Sequence, residues 1–380
     1  MKKILSILLV LAMALSLAAC GGNNAAADEG GYKVAMVTDY GDITDQSFNQ
    51  TTYEACKAFA EANKVDFTYY KPAGDSDAER VAMIEKAVDE GYNVIVLPGF
   101  AFANAIATAA PQYTDVKFIA LDVSEFDLTS AGLTAETMKN VYSAVYQEEL
   151  SGYMAGYAAV KLGYTKLGFL GGMAVPAVQK FGYGFVQGAD AAAKELNITV
   201  DMNYIYGGLF YGTADITAVM DTWYQGGTEV VFACGGGIYT SAVDAAKKVE
   251  GAKVIGVDVD QAGVIANYAG DADTSLTITS AMKGLYPTTV DTLTDVIVGG
   301  NWEKYAGKVA TLGLVNGDDP TANYVQLPME STQWSDSFTQ DNYKALVKGM
   351  FDGTIKVSAD VSAMPATTNV NVSEQGQIVG

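Results

Sequence analysis

The sequence predicts an α/β protein built from two lobes, each with its own parallel sheet, joined by a hinge. Three observations carry this expectation. Short apolar runs alternate with stretches of helical periodicity along most of the chain, as βαβ units require. The pattern also restarts, because Lys166-Leu-Gly-Phe-Leu echoes Lys33-Val-Ala-Met-Val. Finally, residues 93–123 align without a gap on residues 229–259. In that frame Val94 meets Val230, Gly99 meets Gly235, Lys117 meets Lys253, Ile119 meets Ile255 and Asp122 meets Asp258. Each lobe then ends an equivalent strand on an aspartate.

The elements follow in order. Residues 1–19 read as a lipoprotein signal peptide: Lys2 and Lys3, an apolar run, then Leu17-Ala18-Ala19 before Cys20. The ending Leu-Ala-Ala-Cys looks like a bacterial lipobox, which puts a lipid on Cys20 and the protein on the extracytoplasmic face of the cell membrane. Residues 20–31 are small and polar, a flexible tether. Residues 34–37 form a buried strand. A loop with Asp39, Gly41, Asp42 and Asp45 follows, and Ser47 or Asp45 caps a helix running to about residue 63. Strands at 67–70, 93–97, 116–121 and 142–145 alternate with helices at 76–90, 102–110 and 147–162. A helix over 285–298 and a strand near 310–315 come after the second lobe. The N-terminal lobe is expected at 32–145 plus about 284–318, and the C-terminal lobe at 146–283 plus about 319–365. Residues 366–380 show no apolar periodicity and stay unassigned.

Composition narrows the function. The chain has 44 acidic and 23 basic residues, and losing Lys2 and Lys3 with the leader moves the net charge from −21 to −23. Such a surface repels nucleic acid and anionic headgroups, so neither is expected as a partner and the lipid is the membrane contact. A monomer is expected. There is no histidine, which removes Ser-His-Asp and Cys-His catalysis and histidine metal sites. Neither a metal nor a cofactor is expected. Cys56 and Cys234 read as buried free thiols.

In an open α/β sheet, ligands sit beyond the carboxyl ends of the strands. Here that place carries carboxylates and no phosphate-cradling glycine pattern, which points to a ligand rich in hydroxyls or amines. Asp39, Asp122 and Asp258 are either turn caps or acceptors, and a carboxylate suits a vicinal diol. Gly235-Gly236-Gly237 is either a tight turn or a close backbone approach to a ligand. Phe48 and Phe210 could enclose a planar base from opposite lobes. Lys283 is a cation near the expected hinge.

Three stretches, residues 38–50 (TDYGDITDQSFNQ), 256–261 (GVDVDQ) and 280–284 (SAMKG), closely resemble the basic membrane lipoprotein family of purine-nucleoside-receptor-like substrate-binding proteins. The resemblance covers nearly the whole chain after the leader. It implies a type I periplasmic-binding-protein fold with two Rossmann-like lobes, nucleoside capture in an interlobe cleft, and ABC permease subunits as partners. In that family, aspartates bind the base and ribose hydroxyls, phenylalanines stack on the base and a lysine contacts the ligand. The matching positions are Asp39, Phe48, Asn49, Asp122, Asp258 and Lys283, with Gly236 and Phe210 beside them. The stretch GGLFYGTAD departs from the family's spacing, so Leu209 or Tyr211 could replace Phe210. Two other readings stay open: a binding protein for a sugar or other small molecule, and a nucleoside hydrolase, because TDYGDITD superficially resembles the aspartate cluster of the calcium-dependent hydrolases.

Overall fold

A computed structural model describes residues 31–270 and 274–379. The predicted leader, Cys20 and the tether up to residue 30 lie outside them. The first half of the chain runs β1 (Lys33–Val37), α1 (Phe48–Asn63), β2 (Asp66–Tyr70), α2 (Asp77–Asp89), β3 (Val94–Pro98), α3 (Ala103–Ala109), β4 (Lys117–Leu121), α4 (Glu125–Ser130) and β5 (Val141–Tyr146). The second runs α5 (Glu148–Lys161), β6 (Lys166–Gly171), α6 (Pro176–Leu196), β7 (Val200–Tyr206), α7 (Ala214–Gln225), β8 (Val230–Cys234), α8 (Tyr239–Ala246), β9 (Lys253–Asp258), α9 (Ala262–Ala269) and β10 (Thr277–Lys283). Then come α10 (Leu285–Leu293), β11 (Lys308–Leu312), β12 (Val325–Gln326), α11 (Gln340–Phe351) and β13 (Val370–Gln377).

The strands form two sheets, ordered β11-β5-β4-β3-β1-β2 and β12-β10-β9-β8-β6-β7-β13. From β5 to β2 and from β10 to β7 the two orders are the same. All neighbours are parallel except β10 and β12. The gapless repeat holds in three dimensions, since β3 falls on β8 and β4 on β9, each starting at the matched residue. Both sheets are covered on two faces, so strands such as VIVLP and KFIAL are nearly uniformly apolar and buried. This is the α/β architecture of a type I periplasmic binding protein, with two Rossmann-like lobes.

The chain passes between the sheets after β5, after β10 and after β11. The three passages lie side by side. The Gln147 N–H donates to Leu312 O (2.9 Å), Gly284 N–H to Tyr324 O (2.7 Å) and Tyr324 N–H to Gly313 O (3.0 Å). Nearby, α5 and α6 pack backbone to backbone. A Cβ on Gly152 or Gly156 of α5 would overlap the carbonyls of Phe181 or Phe185. One on Gly184 or Gly188 of α6 would overlap those of Glu149 or Tyr153.

Some local expectations shift. Ser47 makes no capping bond; Asp45 accepts the backbone N–H of Ser47 (2.9 Å), Asn49 (2.9 Å) and Gln50 (3.1 Å) instead. The helix expected over 285–298 stops as α-helix at Leu293 and continues as a π-turn, Thr294–Val298. The strand near 310–315 begins earlier, at Lys308. The unassigned tail contains β13, an edge strand on β7 in which Val370 alone is fully buried, too weak a signal for periodicity to reveal. Cys56 and Cys234 are buried and free.

Candidate functional site

One cavity lies where the carboxyl ends of the two sheets meet, the usual place for a ligand in such sheets. Asp39, Phe48, Asn49, Asp122, Phe210, Gly236, Asp258 and Lys283 all line it.

The floor is a charge cluster. Asp122 and Asp258 follow β4 and close β9, and both adopt left-handed backbone, with φ 60° and 66°. That conformation is uncommon for a residue with a Cβ and turns each carboxylate out of its strand into the cavity. Lys283, the last residue of β10, is fully buried and pairs with Asp122, with Glu148 Oε1 (3.7 Å) and Asp258 Oδ1 (3.7 Å) also near its Nζ. The three carboxylates keep Lys283 charged well above the usual lysine range, against the pull of burial. Burial, and then Asp122, push Glu148 up to about 7. Burial also raises Asp258, although Lys283 and Ser47 oppose it. Asp258 Oδ2 accepts the Ser47 hydroxyl (2.6 Å), a bond from the first half to the second. Beside it, Gln261 Nε2 donates to Gln46 O (3.1 Å) and Gln261 Oε1 accepts Val257 N–H (2.9 Å). Among the described residues, Asp122 Oδ1 is buried without a hydrogen-bond partner, an unmet acceptor at the cavity wall.

The second polar group comes from the loop after β1. Asn49 Nδ2 donates to Asp39 Oδ1 (2.9 Å) and Asp45 Oδ2 (3.2 Å), which fixes the amide's orientation. Its Oδ1 is then buried and unpartnered among the described residues. Asp39 Oδ1 also takes Gly41 N–H (3.0 Å). Burial outweighs those bonds and pushes Asp39 up to about 6.

The remaining wall is apolar. The Phe48 ring lies 4.7 Å from Lys283 Nζ, a cation–π contact on one ring face. Phe210, and neither Leu209 nor Tyr211, reaches this cavity; those two line a wider outer space with Tyr40 and Lys71. The glycines after β8 serve Phe210: a Cβ on Gly235 would meet its ring, and Gly237 N–H donates to Phe210 O (2.8 Å). That N–H is therefore spent inside the protein. The sequence missed Phe100, Phe181, Val175 to Val178 and Glu148. Phe181 and Val178 lie on the long amphipathic α6, where a cavity residue looks like core. Glu148 opens α5 and looks like an ordinary first-turn acid. Among the described residues no acidic or cysteine cluster fit to hold a metal ion occurs, and no helix is long and apolar enough to cross a membrane.

Two sheets of matched order with a cavity at their facing strand ends define a solute-binding architecture. The same fold occurs in an ABC transporter solute-binding protein from Aeropyrum pernix K1, with TM-score 0.67 and 21% identity over 86% of this chain and 87% of that one. The profile of the family described as "ABC transporter substrate-binding protein PnrA-like" matches residues 32–345, and the chain belongs to that family. The ABC transporter nucleoside-binding protein BmpA of Lactococcus lactis subsp. cremoris is 28% identical over 326 residues, 81% of this chain and 88% of its own. Basic membrane protein A of Borreliella burgdorferi is 28% identical over 323 residues, 83% of this chain and 87% of its own.

Proposed function

We propose that the chain is a lipid-anchored, extracytoplasmic substrate-binding protein that captures purine nucleosides between its two lobes and delivers them to an ABC permease. One observation supports this above the others. A single cavity joins unmet carboxylate and amide acceptors to aromatic walls from both halves, the requirements of a planar ligand that donates hydrogen bonds. In this reading Asp258 and Lys283 face the ribose, Asp39, Asn49 and Asp122 face the base, and Phe48 and Phe210 pack on the ring. The three side-by-side passages serve as the hinge, and the permease recognises the ligand-bound form.

The test is calorimetric titration with inosine, guanosine, adenosine and free ribose, with mass spectrometry of what leaves the denatured protein. Tight nucleoside binding with poor ribose binding supports the reading. Tight ribose binding would make this a sugar receptor. Calcium-dependent release of free base would make it a hydrolase. Loss of palmitate labelling in Cys20→Ala checks the anchor.

A further inference from the structure

We propose that the C-terminal strand acts as a positioning element for Phe210, so that residues 370–379, beyond the stretch matched to the family, set how firmly the cavity holds a planar ligand. β13 runs parallel on β7 from Val370 to Gln377. It is pinned at its start by Asp190 of α6, whose Oδ1 accepts the backbone N–H of Thr368 (2.8 Å), Asn369 (2.6 Å) and Val370 (3.1 Å). Near its end Trp223 Nε1 donates to Gln375 Oε1 (3.1 Å).

The pairing continues past β7 into the loop that carries Phe210. Ile378 N–H donates to Tyr206 O (2.9 Å) and Val379 N–H to Gly207 O (3.1 Å). Gly208 has φ 85°, and a Cβ there would overlap the Val379 carbonyl oxygen. Phe210 follows two residues later. On its other side the loop is held by Gly207 N–H to Gly171 O (2.7 Å), Gly208 N–H to Gly172 O (3.0 Å) and the Gly237 bond to Phe210 O. The Phe210 ring rests on Gly172 and Gly235, where a Cβ would strike it. Residues 207–211 are thus a single length of backbone clamped between the ends of β6 and β8 and the C-terminal residues. Releasing one jaw lets the loop open locally and adds an ordering cost to binding.

The contact uses Val379 backbone, which shapes the test. Val379→Pro removes the N–H donor, whereas Val379→Ala keeps it. Expected without ligand is faster hydrogen exchange at residues 207–211 in Val379→Pro, with an unchanged melting temperature and wild-type exchange in Val379→Ala. With 2-aminopurine riboside, whose fluorescence drops on stacking, Val379→Pro should raise Kd about tenfold, mostly through dissociation, and quench the bound probe less. In a Phe210→Ala background the same change should cost less than about twofold, because the residue it acts through is gone. Unaltered exchange in Val379→Pro, or full additivity with Phe210→Ala, overturns the proposal. The affinity arm rests on nucleoside capture and the exchange arm does not. A wild type that ignores nucleosides defeats the proposed function while exchange still decides this inference.

Discussion

Asp122 and Asp258 hold the same place in matched half-sheets, with the same left-handed backbone, and differ in their partners. Asp122 gives one oxygen to Lys283 and leaves the other unmet among the described residues. Asp258 takes the Ser47 hydroxyl on one oxygen and stands 3.7 Å from Lys283 with the other. The backbone is alike because strand and turn repeat. The partners differ because Ser47, Glu148 and Lys283 fall outside the repeated segment, 93–123 on 229–259. The repeated strand and turn place two equivalent carboxylates, and single unrepeated residues make them unequal.

The largest way to break the comparison is to remove what the two aspartates share. Lys283→Met leaves Asp122, Glu148 and Asp258 without their common cation and should destabilise the fold by about 3–5 kcal/mol in urea denaturation, with nucleoside affinity falling alongside. A change under about 1 kcal/mol would mean the cluster is not organised by Lys283. Next, Asp258→Ala should weaken inosine by about one to three orders of magnitude and 2′,3′-dideoxyinosine far less, while Asp122→Ala should discriminate among bases instead. Equal losses for inosine and dideoxyinosine would return Asp258 to a capping role. The smallest effect sharpens the asymmetry from outside the pair. With Lys33 set on Lys166, Asp39 meets Gly172, so the second half has no counterpart. Burial pushes Asp39 above the usual aspartate range, up to about 6. If the carboxylate accepts from the base, affinity should drop up to about tenfold per pH unit as pH falls through 6, and Asp39→Asn should flatten that profile. Stability moves the opposite way: the raised value favours folding fully below about 3.8, and that contribution is lost as pH rises through 6. A profile unchanged by Asp39→Asn would remove Asp39 from ligand contact.

Much of this was legible in the sequence for identifiable reasons. Buried parallel strands announce themselves as apolar runs, so the repeat could be read directly and placed Asp122 and Asp258 at strand ends. Family motifs supplied Lys283 and Asn49, which pattern alone leaves as ordinary polar residues. What stayed hidden depends on the third dimension. Phe181 and Val178 share a helix face with core residues. Ser47 looked like a cap and is a cross-half donor. β13 is an edge strand that buries only Val370, which leaves almost no periodic mark.

The cluster also sits on the chain's own passages between halves. Lys283 is the final residue of β10, and Tyr146 and Glu148 flank the turn out of β5. In many switching proteins the detector and the moving joint lie tens of ångströms apart and need an intervening network. On the proposed function, the detector is mounted on the joint itself: a ligand that redistributes charge around Lys283 would act on the hinge backbone directly, with no relay to lose or dilute the signal.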